Sequence, residues 1–222
     1  MDVELRVAAS AAEAVREAGD LLAESARRGG HIALSGGGTP RPAYESAARL
    51  APDWSGVEVW WADERCVPPD DERSNFRLAR VALLDRLAVP PRAVHRILGE
   101  LAPQEAARRY DDELRSVTFD LVLLGVGADG HTASLFPNDE ALEEEQRLAV
   151  AVEGPDVARV TLTPPPLRAA RHVVFLVVGE EKAEAVRRAF GAPPGPGTPA
   201  SLIRAERTTA ILDREAADEL GR

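Results

Sequence analysis

Asp129 and His131 form the motif with the clearest chemistry in this sequence of 222 residues. The tripeptide Asp129-Gly130-His131 follows the apolar run Phe119–Leu124 after a short glycine-containing stretch. A carboxylate two residues from an imidazole can fix the tautomer of the ring and raise its basicity. We therefore predict that His131 is a general base oriented by Asp129. The alternative is a turn in which both side chains only cap the next segment.

Three glycines in this segment, Gly125, Gly127 and Gly130, formally match the Gly-x-Gly-x-x-Gly pattern of dinucleotide-binding folds. That pattern also requires an acidic residue at the end of a second strand about 20 residues further on. Val150 and its neighbours provide no such residue. The sequence therefore argues against an NAD-dependent oxidoreductase.

A second glycine-rich segment follows the apolar run His31–Leu34. It consists of Gly36, Gly37 and Gly38, followed by Thr39 and Pro40. Glycines let the backbone approach a ligand closely, and the free N–H groups at the start of the following helix favour an anion. No Gly-Lys-Ser/Thr follows, so the segment is not a Walker A loop. It predicts a phosphate cradle, and the alternative is a flexible turn with no ligand.

A charged cluster follows the apolar run Val57–Trp61. It contains Asp63, Glu64 and Arg65. Charged side chains directly after an apolar strand must be solvated or paired. Asp63 is a candidate acid/base or orienting carboxylate, and Arg65 is a candidate clamp for an oxyanion or a phosphate. The alternative is a solvated turn with a surface ion pair.

Lys182 is the only lysine beside 26 arginines, and it follows the apolar run His172–Val178 at the start of a predicted helix. A cation opposes the helix dipole there, whereas a compact charge suits a phosphate. The alternative is an exposed lysine neutralised by Glu180 and Glu181. Arg159 precedes another short apolar run, and the residues alone leave its role open.

All of these segments lie where a short apolar run ends and a longer amphipathic run begins, a pattern typical of βα units on a mainly parallel sheet. Ligands bind beyond the carboxyl ends of the strands in such sheets. We predict an α/β fold, a three-layer Rossmann-like sandwich with a mainly parallel sheet flanked by helices, as one domain over residues 1–222. The predicted strands are His31–Leu34, Val57–Trp61, Val94–Ile97, Phe119–Leu124, Val160–Leu162, His172–Val178 and Thr209–Leu212. The predicted helices cover residues 10–28, 40–50, 74–87, 103–115, 165–170, 181–190 and 213–220, and residues 192–199 are predicted to form a surface loop.

Composition narrows the class of protein further. The net charge of −10 and the pI of about 5.0 argue against binding of nucleic acid or of a membrane surface. Cys66 is the single cysteine, which excludes an intramolecular disulfide and a cysteine-based zinc site. The first residues are too charged for a signal peptide, and the longest apolar run is too short to span a bilayer. We therefore predict a soluble cytoplasmic protein.

Together and in this order, the segments resemble the 6-phosphogluconolactonase family, a branch of the superfamily that includes glucosamine-6-phosphate isomerase/deaminase. The string from Asp129 to Pro137 is highly specific for this family, whereas the glycine-rich segment alone is not. The matching stretches are Ser35–Pro40, Trp61–Pro68, Ser74-Asn75, Gly125–Pro137, Arg159–Thr163 and Gly179–Lys182.

The resemblance implies hydrolysis of the δ-lactone of 6-phosphogluconate, the second step of the oxidative pentose phosphate pathway. The implied catalytic residues are His131, Asp129, Arg65 and Asp63, with Asp63 binding sugar hydroxyls or supporting Arg65. The implied phosphate-binding residues are Gly36, Gly37, Gly38, Thr39, Arg159 and Lys182. The expected partner is a small sugar-phosphate lactone, with no metal and no cofactor, in a monomer or a small homo-oligomer.

Two alternative functions remain to be weighed. Deaminases of the same superfamily typically carry a glutamate just before the proline that ends the motif, and this sequence has Phe136 there. Because phenylalanine cannot ionise, the departure disfavours a deaminase. A sugar-phosphate sensor in a transcription regulator would need a helix-turn-helix segment, which we do not expect before residue 31 or after residue 212.

Overall fold

The computed structural model describes residues 3–221 and confirms the predicted α/β class. The strands are β1 Val3–Ala8, β2 Gly30–Leu34, β3 Val57–Trp61, β4 Asp63–Arg65, β5 Ala93–Val94, β6 Leu121–Leu124, β7 Ala149–Val152, β8 Arg159–Leu162, β9 His172–Val177 and β10 Arg207–Asp213. The α-helices are α1 Ala11–Arg28, α2 Arg41–Leu50, α3 Asn75–Ala82, α4 Pro103–Leu114, α5 Pro164–Arg168 and α6 Ala183–Phe190. Single 3₁₀ turns cover Leu84–Arg86, Glu140–Glu143, Glu180–Lys182 and Pro199–Leu202.

Seven strands form the central sheet, in the order β1-β10-β9-β6-β2-β3-β5, and every pairing in it is parallel. The central strands β6 and β9 are buried along their whole length. Continuous apolar runs are typical of parallel strands that are covered on both faces. The helices flank this sheet, and α1, the longest of them, packs against α2 and against β9 and β10.

A second sheet of three antiparallel strands, in the order β4-β8-β7, lies beside the central one. It corrects the sequence analysis, which placed Asp63–Arg65 beyond the end of a strand and predicted no strand over Ala149–Val152. Both segments are strands because they pair with Arg159–Leu162. For Asp63–Arg65 this partner lies more than 90 residues further along the chain, so the pairing leaves no local signal.

The sequence analysis and the structure differ at three further elements. Strand β1 was not predicted, because it lies at an exposed edge of the sheet and carries alternating charged residues. Strand β5 is only two residues long. The helix predicted over residues 213–220 is wrong, since residues 214–220 form turns in which the Asp213 carboxylate accepts a hydrogen bond from the N–H of Ala216. Within residues 3–221, no helix combines the length and the apolar character needed to cross a membrane.

His172, at the start of β9, gives the fold a testable pH dependence. Burial, with a further contribution from the Arg207 charge, lowers the pKa of His172 from 6.5 to about 4. Between these two pH values the unfolded chain binds a proton that the folded chain does not, so stability is lost as the pH falls through this window. As the pH falls through this window, we expect His172→Gln to lose less unfolding free energy than the native protein, by up to about 1.4 kcal/mol per pH unit. Urea unfolding of both proteins at pH 7 and at pH 5 measures this difference. An equal change of unfolding free energy between the two pH values in both proteins would contradict the prediction.

Candidate active site

A cleft opens where β2, β6 and β9 end, with β4 and β8 forming its side wall. Nine of the ten predicted site residues line this cleft: Gly36, Gly37, Gly38, Thr39, Asp63, Arg65, His131, Arg159 and Lys182. The tenth, Asp129, lies behind His131 and contacts its ring. The structure therefore brings together residues that are spread over more than 140 positions of the sequence.

His131 is held by Asp129 through two hydrogen bonds. Its Nδ1 lies 2.6 Å from the Asp129 Oδ1, and its backbone N–H donates to the same oxygen at 3.0 Å. Burial raises the pKa of the Asp129 carboxyl, but these hydrogen bonds and the charge of His131 outweigh that effect and hold the pKa below its ordinary value. An ionised carboxylate only accepts hydrogen bonds, so Nδ1 carries a proton, and Nε2 is the nitrogen that can accept a proton when the ring is neutral.

Gly127 makes this arrangement possible. A Cβ atom on Gly127 would overlap the His131 ring and touch the Asp129 carboxylate. A Cβ atom on Gly125, two residues earlier, would have no neighbour within 4 Å. A side chain is therefore sterically excluded at position 127 but not at position 125, a difference that the sequence pattern does not show.

The glycine-rich segment follows β2 and precedes α2, as predicted. Its start is fixed by the buried Tyr44, whose hydroxyl donates to the Ser35 carbonyl at 2.6 Å and accepts from the Ser35 N–H at 3.0 Å. Gly37 has a φ of +96°, a conformation that other residues rarely adopt. The helix begins at Arg41 rather than at Pro40, and no side chain caps its N-terminus. Its first backbone N–H groups therefore have no side-chain partner and can bind an anion.

Arg65 and Arg159 lie directly opposite each other on β4 and β8. Arg65 donates to the Arg73 carbonyl at 2.5 Å, and Arg159 donates to Asp156 at 2.9 Å. In both guanidinium groups the Nε is buried and has no hydrogen-bond partner. Like charges on opposite cross-strand positions are destabilising, and an unpaired buried donor is costly. Both conditions point to an anion as the missing partner.

Asp63 is buried, and both of its carboxylate oxygens accept hydrogen bonds. Oδ2 accepts from the Ser134 hydroxyl at 2.6 Å, and Oδ1 accepts from the Asn75 amide at 3.1 Å. The solvated turn that was the alternative for this segment is therefore wrong. The described contacts of Asp63 do not include Arg65, so direct support of that guanidinium is not part of this geometry.

Three buried residues that the sequence analysis did not assign a role support this side of the cleft: Asn75, which lines it, and Glu64 and Ser134, which lie behind the lining. The Glu64 carboxylate accepts hydrogen bonds from the N–H groups of Asn75 and Phe76 at 2.7 Å each, which caps the start of α3. Burial raises the pKa of Glu64, although these hydrogen bonds oppose the shift. The only signal in the sequence was the matching stretch Ser74-Asn75; the Ser74 hydroxyl accepts from the Arg77 N–H at 3.1 Å and caps the same helix.

Lys182 lies in the 3₁₀ turn Glu180–Lys182, one residue before α6, and faces the cleft. Glu180 and Glu181 form no ion pair with it, and no other ion pair of Lys182 is found among residues 3–221. The preceding Gly179 has a φ of +100°, and its N–H donates to the Asp213 carboxylate at 3.1 Å. The lysine charge is therefore free to bind a ligand, contrary to the neutralised alternative.

Cys66 and His95 are titratable residues that do not line the cleft. Burial and the nearby charges of Glu64 and Glu153 raise the pKa of Cys66 to about 11, which leaves the thiol unreactive. His95 stacks on Trp60 and lies between Glu58 and Glu113, outside the cleft. No group of three or more His, Cys, Asp or Glu side chains suited to a metal ion occurs within residues 3–221.

Comparisons with known proteins agree with this geometry. Residues 2–212 match the family model described as glucosamine-6-phosphate isomerases/6-phosphogluconolactonase. A 6-phosphogluconolactonase of Synechocystis sp. is 41% identical over 208 residues, covering 88% of this chain and 87% of that protein. A 6-phosphogluconolactonase of Streptomyces coelicolor is 36% identical and covers 100% of this chain and 93% of that protein. The solved structure of a 6-phosphogluconolactonase from Trypanosoma cruzi superposes with a TM-score of 0.87 at 28% identity, over 100% of this chain and 99% of that one.

Proposed function

The chain belongs to the family of glucosamine-6-phosphate isomerases and 6-phosphogluconolactonases, and on this premise we propose that its cleft hydrolyses the lactone of 6-phosphogluconate. The relatives that match over most of both chains are 6-phosphogluconolactonases. The reaction is a lactone hydrolysis of the pentose phosphate pathway. The observation that carries the proposal is His131, with its Nδ1 bound to Asp129, in the same cleft as two arginines with unpartnered Nε groups.

The phosphate of the substrate binds to the glycine-rich segment, Arg159 and Lys182. The segment offers backbone N–H groups at the start of α2, and the two side chains offer positive charge. These contacts are remote from the lactone carbonyl. Their binding energy holds the ring in one orientation, which converts attack by water into a step between fixed partners.

His131 acts as the general base. Its Nε2 takes a proton from a water molecule while the water oxygen forms a bond to the lactone carbonyl carbon. The carbonyl oxygen becomes an oxyanion, and the Arg65 guanidinium stabilises it. The bond from this carbon to the ring oxygen then breaks, and the ring oxygen takes the proton from His131. The products are a carboxylic acid and a hydroxyl group, and His131 returns to its neutral form.

Asp63 has a supporting role in this scheme. It keeps two walls of the cleft together through Ser134 and Asn75. A carboxylate has about four lone-pair positions, so Asp63 can also accept a hydrogen bond from a sugar hydroxyl. Of the two roles that the family resemblance implies for this residue, the hydroxyl-binding one fits its contacts.

A deaminase reaction on glucosamine 6-phosphate is the second candidate, and Phe136 opposes it. The Phe136 ring lies 5.2 Å from the His131 ring and 5.7 Å beneath the Arg159 guanidinium. An apolar ring at this position offers no carboxylate to assist ring opening. Release of ammonia from glucosamine 6-phosphate at an enzymatic rate would overturn this assignment.

A coupled assay tests the proposed function. The lactone is generated in situ from glucose 6-phosphate, and its decay is followed in the presence of increasing amounts of the protein. Because such lactones also hydrolyse spontaneously, only an acceleration proportional to protein concentration supports the proposal. A decay rate independent of protein concentration would refute it.

Lys182→Ala is expected to raise KM for the lactone about tenfold or more, because the variant loses an unpaired charge facing the cleft. The matched control is Arg187→Ala on α6, since Arg187 pairs with Glu184 on the exposed side. That control is expected to leave KM within about twofold of the native value. Steady-state kinetics of both variants provide the measurement, and an equal KM for the two would contradict the role of Lys182.

A further inference from the structure

We propose that residues 195–200 form a fixed support behind the turn that carries His131, and that Arg188 is a positioning residue of this support. The sequence analysis placed residues 192–199 in a surface loop. The inference rests on the proposed role of His131 and adds to it the part of the chain that keeps His131 in place.

Backbone hydrogen bonds join the support to both ends of the stretch that contains His131. The Ala200 N–H donates to the Gly130 carbonyl at 3.1 Å. The Asn138 N–H donates to the Pro196 carbonyl at 3.0 Å. Residue 130 is the second residue of the specific Asp129 to Pro137 string and residue 138 directly follows it, so displacement of the support would displace this stretch as well.

Side-chain packing closes the space behind the turn. Gly130 has a φ of +94°, and a Cβ atom added to it would lie 2.9 Å from the Thr198 Cγ2. Thr198 is itself buried. Thr198 therefore occupies the space that a side chain at position 130 would need, and the turn packs directly against it. This contact prevents the turn from moving away from the cleft.

The support is held internally, as a rigid wall requires. The Ser201 hydroxyl contacts both the N–H and the carbonyl of Gly195, at 3.0 and 3.3 Å. The Arg204 guanidinium donates to the Ala200 carbonyl at 2.9 Å and to the Ala189 carbonyl at 2.7 Å. The second contact fastens the support to the end of α6. A lid that opens and closes would have to break these contacts in every turnover.

Arg188 bridges the support and the turn. One of its terminal nitrogens contacts the Ala128 carbonyl at 3.3 Å, and the other contacts the Thr198 hydroxyl at 3.4 Å. Its Nε lies 3.5 Å from Glu184 on the same helix, an ion pair without a hydrogen bond. The planar fork of a guanidinium holds two terminal nitrogens at a fixed separation and can donate to two separate acceptors in this way. Arg188 does not line the cleft, so it acts on the substrate only through the turn.

This placement predicts a specific kinetic signature. Loss of the bridge leaves the phosphate-binding residues untouched, so KM is expected to stay within about twofold of the native value. The general base loses its fixed position, and misplacement of a catalytic group by about 1 Å costs up to about 10²-fold in rate. We expect Arg188→Ala to lower kcat about tenfold, because the backbone hydrogen bonds of the support remain.

The experiment compares Arg188→Ala with Arg187→Ala, its neighbour on the exposed side of α6. The expected result is a lower kcat for Arg188→Ala alone, with the same KM for both. A kcat of Arg188→Ala within twofold of the native protein overturns the inference, and so does an effect confined to KM. His131→Ala is assayed alongside: if it keeps the native kcat, the general-base role of His131, on which this inference rests, is refuted. If His131→Ala is inactive and Arg188→Ala keeps the native kcat, only the support is refuted. If the native protein itself does not accelerate hydrolysis of the lactone, the proposed function is refuted.

Thr198→Ala provides a second and independent variant. It removes the packing against Gly130 and the acceptor for Arg188 at once, whereas Thr198→Val keeps the shape and removes only the acceptor. We expect kcat to fall more in Thr198→Ala than in Thr198→Val, with KM unchanged in both. Native kcat in Thr198→Ala would overturn the inference.

Discussion

Replacing His131 with alanine is expected to lower kcat by about 10²- to 10⁴-fold, the usual contribution of a positioned general base. Among residues 3–221, this imidazole is the only base in the cleft whose orientation is fixed by a carboxylate. Its Nδ1 lies 2.6 Å from Asp129. Without it, water must attack the lactone carbonyl unassisted. Affinity for 6-phosphogluconate is expected to stay near the native value, because the phosphate-binding groups are intact.

The measurement pairs steady-state kinetics with calorimetric titration of 6-phosphogluconate. His95→Gln is the matched control, since this second imidazole is also flanked by carboxylates, Glu58 and Glu113, but lies outside the cleft. It is expected to keep native turnover. A His131→Ala protein that turns over as fast as the native one would disprove the general-base role.

Gly127→Ala is expected to lower kcat about 10²-fold, because the added Cβ atom would occupy the space of the His131 ring. The ring must rotate or shift to escape the overlap, and its contact with Asp129 is lost with it. The contact with Asp129 also fixes the tautomer, so the variant loses both the position and the correct protonation of the base.

Gly125→Ala serves as the control in the same segment. A Cβ atom there has no neighbour within 4 Å, and the residue also lines the cleft. We expect its kcat to remain within about threefold of native, with any effect of the methyl group appearing in KM. The imidazole resonances of His131 in an NMR spectrum should shift in Gly127→Ala and not in Gly125→Ala. Equal losses of kcat in the two variants would contradict the proposed reason for glycine at position 127.

The sequence predicted the central sheet well where the strands are largely apolar. Val57–Trp61 is reproduced residue for residue, and the strand predicted over His172–Val178 is one residue too long. Such strands are covered on both faces of the sheet, so consecutive residues are mostly apolar and the strand can be recognised in the sequence. The short strands Asp63–Arg65 and Ala149–Val152 were not predicted. Both are strands because they pair with Arg159–Leu162, and this pairing is not visible within either segment.

The candidate site shows the same division. Glycines, Asp129 and His131 are adjacent in sequence, so local patterns were sufficient to single them out. Asn75, Ser134 and Glu64 received no role, because their contacts join the segment around Asp63 to residues 10 to 71 positions away. Hydrogen bonds across such distances depend on the packed fold and leave no motif.

By itself, the sequence determined which residue types form this site: an imidazole beside a carboxylate, glycines before a helix, and cations at strand ends. Those features are local, because they depend on neighbours within a few positions. The tertiary structure alone decided which cationic side chains keep an unpartnered donor or an unpaired charge. Arg65 and Arg159 are proposed to bind anionic groups because they lie opposite each other with unpartnered Nε atoms, and Lys182 because neither neighbouring glutamate forms an ion pair with it. Whether a charge is compensated depends on everything packed around it, and that is fixed only when the chain folds.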